Sequence, residues 1–568
     1  MAAPVTSAAS DTAEIRKARG AFFTPEPVAQ HITDWAVRSP TDHVLEPSCG
    51  EAAFLLAAVH RFGRTPDLQL FPDLALMRPE GKIVLDGIEL HEPSAQAAQR
   101  LLDQAGVTAR VQTADFFTIP PTGKYDAVIG NPPYVRYQDF SGEARALSRA
   151  AAAAAGVSLT GLASSWAAFT VHSALFLKPG GRLGLVLPAE LLSVNYAADV
   201  RRFLLERFRS IDLVLFKERV FPGVSAEVVL LLADGYDQGP TDHARVTELQ
   251  NAAALGQKPH WRTFRPRRAA DKWTPALLAG DALTAYASLI DGANFTELET
   301  WGDTTLGMVT GNNKYFTMSP AQAAERGLSA SDLIALSPPG SRHLRNLALT
   351  TRDLVQLGAD GQSTLLFRPQ DEPSAAAWAY IEAGKEADVH LAYKCKVRDP
   401  WWRVPYVPPA DLFLTYMNAD TPRLTTNQAK AHNLNSVHGL YLRAPFRAVG
   451  RSLLPLGSLN SVTLVGAETV GRSYGGGLLK LEPREADLLP VPHPDVLTAA
   501  AIRLKAIRPK VARRLRLGQL NAAAALVDHV LLVGELGIPV SDVASLHEEQ
   551  QVLRARRMAR GAEAKPLP

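Results

Sequence analysis

The sequence predicts an α/β protein with a mainly parallel sheet, followed by a domain of different texture. Three observations carry this. Across residues 42–235, short apolar runs alternate with helical patterns, the mark of strand–helix–strand units in a parallel sheet. Carboxylates and glycines gather at the carboxyl ends of those runs, where open α/β sheets bind their ligands. From about residue 240, strands become short and irregular, punctuated by Pro, Trp and Gly.

Seven strands are expected: "HVLEP" (43–47), "IVLDGIEL" (83–90), "ARVQTAD" (109–115), "YDAVIG" (125–130), "RLGLVLP" (182–188), "IDLVLF" (211–216) and "EVVLLLA" (227–233). Helices are expected at 51–62, 94–105, 164–177 and 196–208. Residues 66–81 and 139–160 read as loop-like insertions, the second a flap beside the motif it follows. The resulting division is 1–240 catalytic, 241–490 α+β, and 491–568 helical.

At 568 residues the chain is too long for one core. It is 46% hydrophobic and 21% charged, a globular composition, with a net charge of +3 that selects no partner. The first 20 residues lack the apolar segment of a leader, and no run of 18 apolar residues occurs. Two cysteines, Cys49 and Cys395, build neither a disulfide framework nor a zinc site. A cytoplasmic protein with no membrane partner and no metal is expected. "KPHWRTFRPRR" (258–268) and "RLKAIRPKVARRLR" (503–516) are basic; they suit either nucleic acid or a solvated helix face.

The strand-end residues describe a ligand. In "VLEPSCGEAAFL" (44–55), Glu46 and Gly50 lie between a strand and a helix without the Gly-Lys-Ser/Thr ending of a phosphate loop. Glu89 ends the second strand and suits two ribose hydroxyls. Asp115 ends the third, followed by Phe116 and Phe117, an acceptor and an aromatic face for an adenine ring. Together they fit a nucleoside without phosphate, S-adenosylmethionine being the candidate. Beyond the fourth strand comes "NPPY": Asn131, Pro132, Pro133 and Tyr134. Two prolines cannot continue a sheet, so an amide, a stiff carbonyl and an aromatic ring are offered together to a flat, amino-bearing group.

The order "GAFFTPEPVAQHI" (20–32), "EPSCG", Glu89, "ADFF", "NPPY", "LKPGGRLGLVLPAELL" (177–192) and "FPGVSAEVVLLL" (221–232) resembles the γ-class, Eco57I-type amino-methyltransferases of restriction–modification systems, which methylate adenine N6 in DNA. "GMVTGNNKYF" (307–316), "PRLTTNQAKAHNLNSVHGLYL" (422–442) and "ETVGRSYGGGLLKLEPRE" (468–485) resemble pieces of the same group's target-recognition region. The resemblance implies a class I, Rossmann-like methyltransferase fold of seven strands with a C-terminal target-recognition domain. Thr24 and Pro25 would cover the methionine end of the cofactor. Glu46 and Gly50 would line its methionine and ribose, Glu89 bind the ribose, Asp115 the adenine amino group, Phe116 its ring, and Phe169 contact it further. Tyr134 and Phe221 would cover the two faces of a flipped adenine. Where the family commonly has a second glycine this chain has Ala52.

Adenine N6 is a poor nucleophile because its lone pair is delocalised. The Asn131 side-chain oxygen and the Pro132 carbonyl can each accept one N6 hydrogen, drawing the nitrogen toward a tetrahedral geometry, so positioning and fixed dipoles carry the catalysis. NPPY also occurs in methyltransferases that act on glutamine side chains, and close variants in some RNA methyltransferases; a non-catalytic DNA-binding defence component is the alternative of another class. For DNA contact the candidates are Asn312, Asn313, Lys314, Lys396, Arg398, Arg472 and Lys480, with Trp401 and Trp402 divided between core and interface. The expected partners are double-stranded DNA and, functionally, a cognate restriction endonuclease, with the protein acting as a monomer.

Overall fold

Continuous buried apolar runs set the central strands of the first compact unit, which ends at Ala276. In this computed structural model the described residues are 24–63, 84–105, 107, 109–135, 142–221, 227–369 and 372–562. The insertion read at 66–81 lies outside them, as do Phe22, Phe23 and the segment 222–226. The strands of the first unit are β1 (His43–Glu46), β2 (Val84–Glu89), β3 (Ala109–Thr113), β4 (Tyr125–Gly130), β5 (Leu177–Pro188), β6 (Phe208–Phe216), β7 (Val228–Tyr236), β8 (Ala244–Leu249) and β9 (Arg262–Phe264). They form one sheet in the order β3-β2-β1-β4-β5-β7-β6-β8-β9. Pairing is parallel from β3 to β5, and β7 runs antiparallel between β5 and β6.

The sheet has nine strands rather than seven. β8 pairs parallel to β6, and β9 closes the edge antiparallel to β8. The Arg245 Nε donates to Asp212 Oδ1 at 2.7 Å across that pairing, and the guanidinium lies 5.2 Å from the Trp261 ring centre. The basic stretch 258–268 is therefore partly an edge strand. The boundary expected at 240 falls inside the sheet.

The helices are α1 (Glu26–Ala36), α2 (Ala53–Gly63), α3 (Glu92–Gln104), α4 (Gly142–Ala154), α5 (Ser165–Ala174) and α6 (Ala198–Arg207). Residues 142–154 are a helix, not the loop expected there: Ser148, Ala151 and Ala152 are buried on one face, and the helix packs against α5. Prolines in the first turns of α1 and α3 fit the helix start, where a missing N–H costs nothing. α1 lies directly on β5, because a Cβ at Gly184 would sit 2.6 Å from Ile32 Cγ2. β1 has β2 on one side and β4 on the other, so the strand order reverses there. Open α/β sheets bind their ligands in the crevice at such a reversal, here beyond Glu46 and Gly130.

The second unit, Leu277–Pro568, is α+β. Its largest sheet has five strands, in the order Gly302–Leu306, Val437–Leu442, Leu412–Thr415, Leu424–Asn427 and Ala348–Leu349. Helices α7 (Arg447–Gly457), α8 (Ser461–Val470), α9 (Ala501–Arg516), α10 (Leu520–Asp528) and α11 (Val540–Ala562) follow. Leu504, Val511, Leu515 and Val527 share one buried cluster with Leu412, Leu414 and Trp301. The expected third region, 491–568, is thus helical but shares its core with the sheet. α9 is amphipathic, with Arg503, Lys505, Lys510, Arg513, Arg514 and Arg516 exposed and Arg508 turned in to the Ser452 carbonyl. No helix among the described residues is long and apolar enough to cross a membrane.

Candidate active site

The crevice collects the strand-end residues. Glu89, closing β2, accepts from Gly50 N–H at 2.9 Å and His91 N–H at 2.8 Å. Its carboxylate is thereby fixed, with lone pairs to spare for hydroxyls. Gly50 has φ +49, and a Cβ there would meet nothing within 4 Å. The backbone faces open space in a conformation glycine adopts without strain. Ala52 has φ +65 and is fully buried, so it holds a left-handed conformation in which glycine would be relaxed.

Glu46 sits deeper than expected. It is 2% exposed, and its Oε2 accepts from Leu55 N–H at 3.1 Å, so the carboxylate faces the first turn of α2. Burial pushes its pKa well above the carboxylate range, against the pull of that backbone bond. Asp115 caps the turn Phe116–Thr118, accepting from Phe117 N–H at 2.9 Å. Phe116 and Phe169 are brought together, ring centres 5.1 Å apart and stacked. His172 and Phe176 complete the cluster, and Phe116 is only 3% exposed, so Phe117 is the half-buried ring of the pair. His172 Nε2 lies 3.2 Å from the carbonyls of both Phe116 and Ile119, tying the turn to α5, and burial lowers its pKa. Neither His172 nor His91 belongs to a metal cluster; no group of metal-binding side chains occurs among the described residues.

At the end of β4, the Asn131 Nδ2 donates to Thr24 Oγ1 at 3.1 Å, and its Oδ1 accepts from the Tyr134 hydroxyl at 2.8 Å. That hydroxyl is also 2.9 Å from the Val186 carbonyl. Thr24, expected over the cofactor's methionine, also touches the amide, and Tyr134 carries an unforeseen hydroxyl link besides its ring. Burial raises the Tyr134 pKa. Pro25 opens α1, its carbonyl accepting from Val28 N–H at 2.9 Å. Phe221 is 3% exposed within the same core cluster that Tyr134 packs against. The Ser48 hydroxyl reaches the Asn131 carbonyl at 3.4 Å. Ser48 and Val186 lie within the quoted motifs but carry no role legible there, and Ser165, which bonds the NPPY backbone, does not stand out in the sequence; the fold brings all three near.

In the second unit, most of the proposed DNA contacts are already engaged. Asn312 caps residues 313–316 by accepting from Tyr315 N–H at 3.2 Å, and Asn313 accepts from Thr310 Oγ1 at 2.5 Å. Arg398 bonds the Lys394 and Thr310 carbonyls, bracing that turn. Arg472 pairs with Glu485 at 2.9 Å, and Lys480 with Glu482 at 2.8 Å. These five side chains are all engaged within the second unit. Lys314 and Lys396 are exposed. Cys395 and Trp402 are buried core, with Trp401 packed against it.

A sheet of this order, with β7 antiparallel and a strand-end carboxylate held by a glycine turn, defines a class I S-adenosylmethionine-dependent methyltransferase with a C-terminal domain. Residues 88–221 match the family model of the Eco57I restriction-modification methylase, and 270–532 that of the C-terminal domain of Type II methyltransferase M.Eco57I. The chain thus matches the models of both the methylase domain and the C-terminal domain of restriction–modification methyltransferases. It is similar to Type II methyltransferase M.XamI of Xanthomonas campestris pv. amaranthicola, 28% identical over 504 residues, 84% of this chain and 86% of that one. M.AccI of Acinetobacter calcoaceticus is 22% identical over 484 residues, 83% and 85% of the two chains. Among solved structures, the Type IIL restriction-modification enzyme MmeI in complex with DNA shares the fold at TM-score 0.52 and 13% identity, covering 93% of this chain and 75% of that one.

Proposed function

We propose that the protein methylates the N6 amino group of an adenine flipped out of double-stranded DNA, protecting a recognition sequence from a cognate endonuclease. The observation that carries this reading is the Asn131 amide, pinned between Thr24 and Tyr134 at the switch-point crevice, directly before the stiff Pro132 carbonyl. Two fixed acceptors side by side match the two hydrogens of an exocyclic amine. Glu89 would hold the ribose hydroxyls of S-adenosylmethionine, Asp115 the adenine amino group, and Phe117, beside the buried Phe116–Phe169 stack, the ring. When bound, that cofactor supplies an electrophilic methyl group on a sulfonium.

Asn131 Oδ1 and Pro132 O accept the N6 hydrogens and aim the nitrogen lone pair. The acceptors are preorganised, so little reorganisation accompanies the reaction. No strong base is needed beforehand, since the amine proton becomes acidic only once nitrogen is alkylated. Tyr134 gives the extruded base a ring to stack on, returning about 1–3 kcal/mol against an unstacking cost of roughly a few kcal/mol. A monomer suffices for this chemistry, in the cytoplasm where the DNA lies. The match of the second unit to a methyltransferase C-terminal domain favours DNA over a protein amide or RNA.

The test is expression in a bacterium without adenine methylation, followed by sequencing for modified bases. A recurrent motif carrying N6-methyladenine is expected, lost in Asn131→Ala while cofactor binding persists. An active wild-type enzyme that marks cytosine or RNA, or an Asn131→Ala protein of undiminished turnover, overturns the reading.

A further inference from the structure

We propose that Ser165 is a positioning residue of the methyl-transfer site, selecting which carbonyl of the NPPY run faces the substrate. The inference rests on the adenine reading above and deepens it.

The run 131–135 leaves the sheet after Gly130. Its two prolines have no N–H, so the segment cannot hold itself by ladder bonds, and its carbonyls need partners from elsewhere. One residue supplies two of them, and a partner for a backbone N–H besides. Ser165 Oγ donates to the Pro133 carbonyl at 2.5 Å and accepts from Val135 N–H at 2.9 Å. Ser165 N–H donates to the Val135 carbonyl at 3.1 Å. The Asn131 carbonyl faces Ser48 Oγ at 3.4 Å. Among the described residues the Pro132 carbonyl accepts nothing. The Pro132 carbonyl adjoins the Asn131 side chain, where a second acceptor for an amine is required.

This is not helix capping. The residue before α5 is Ser164, which makes no side-chain cap bond, and Ser165 is the first helical residue. Its hydroxyl is turned onto the NPPY backbone, and the residue is 2% exposed. One of the free N–H groups of the helix start serves the same segment. Without the hydroxyl, the Pro133 carbonyl and the Val135 N–H both lose a buried partner, and the peptide is free to rotate. Pro132 O then drifts from its bearing on the amine, the kind of small misplacement that costs up to about 100-fold in rate.

Single-turnover methylation of duplex DNA tests this, with wild type, S165A and S165T compared. In S165A the methyl-transfer rate constant is expected to fall about 10- to 100-fold, while the KM for S-adenosylmethionine and the Kd for DNA stay within about twofold. S165T, which keeps the hydroxyl, is expected to recover most of the rate. A purely structural role would move KM, Kd and thermal stability together with the rate; that pattern overturns the proposal, as does an S165A enzyme of wild-type rate or an S165T enzyme as slow as S165A. Should S165A not fold, the S165T comparison decides alone. If wild type itself marks no adenine, the functional reading has failed; if wild type marks adenine and S165A matches it, only the assignment of Ser165 has.

Discussion

Arg557→Ala should detach α11 from the body of the second unit. Arg557 and Glu468 form a forked ion pair, Nε to Oε2 and Nη2 to Oε1 both at 2.9 Å, with side chains 4% and 3% exposed. The same guanidinium donates to the carbonyls of Asp420 and Gly477. Gly477 has φ +73, and a Cβ there would sit 2.9 Å from Met558 Cα, so the glycine turn and the helix are packed backbone to backbone. Truncation leaves a buried carboxylate without a counter-charge and two carbonyls without donors. Breaking one side of such a pair costs about 3–5 kcal/mol. For a body of this size, at about 2 °C per kcal/mol, the melting temperature of the second unit falls by about 6–10 °C. Calorimetry on the full chain reads this. Glu468→Met/Arg557→Met should regain more than half of the loss, because the unpaired charge is gone. A fall of less than about 2 °C, or a double variant no more stable than Arg557→Ala, would refute the reasoning.

Three further outcomes are expected. Asp528 is buried and accepts from Ser461 N–H and Oγ at 2.8 and 2.7 Å; burial pushes its pKa up to about 6. Its folded pKa lies above the ordinary 3.8, so its contribution is fully present below that value and is lost as pH rises through about 6. Asp528→Asn should flatten the stability–pH slope between those limits, removing a loss on the order of 3 kcal/mol, as urea titrations at several pH values will measure. Tyr134→Phe keeps the ring but removes the hydroxyl bonds to Asn131 and Val186; kcat should fall about tenfold with cofactor KM unchanged, and steady-state kinetics decide. Ala52→Gly relieves about 1–2 kcal/mol of left-handed strain, against about 0.4–1 for unfolded-chain entropy and about 0.8 for a lost buried methyl. The melting temperature should therefore move little, whereas Ala52→Val should destabilise clearly.

The central strands were legible because they are buried on both faces and read as apolar runs, as in "VVLLLA" of β7. β8 and β9 were not, since Arg245, Thr247 and Arg262 interrupt short strands at one end of the sheet, whose partners are set only by the fold. α4 was hidden because Ala151 and Ala152 give a weak periodic signal until α5 covers them. In the site, Glu89, Asp115 and Asn131 stood out as polar residues ending apolar strands. Ser165 did not, because its significance lies in backbone groups of a segment 30 positions away. Arg472 and Lys480 look like free cations in the chain, yet Glu482 and Glu485 satisfy them in the fold.

The Asn131 amide depends on groups far apart in the chain: Thr24 lies 107 positions earlier, and Tyr134 is steadied by Val186, 52 positions later. Assembly of these contacts in a nascent polypeptide must therefore lag behind formation of the first strands, arriving only after β5 has left the ribosome and α1 has docked on it. A rigid fusion partner joined close ahead of Thr24 would consequently dull turnover while leaving the sheet intact.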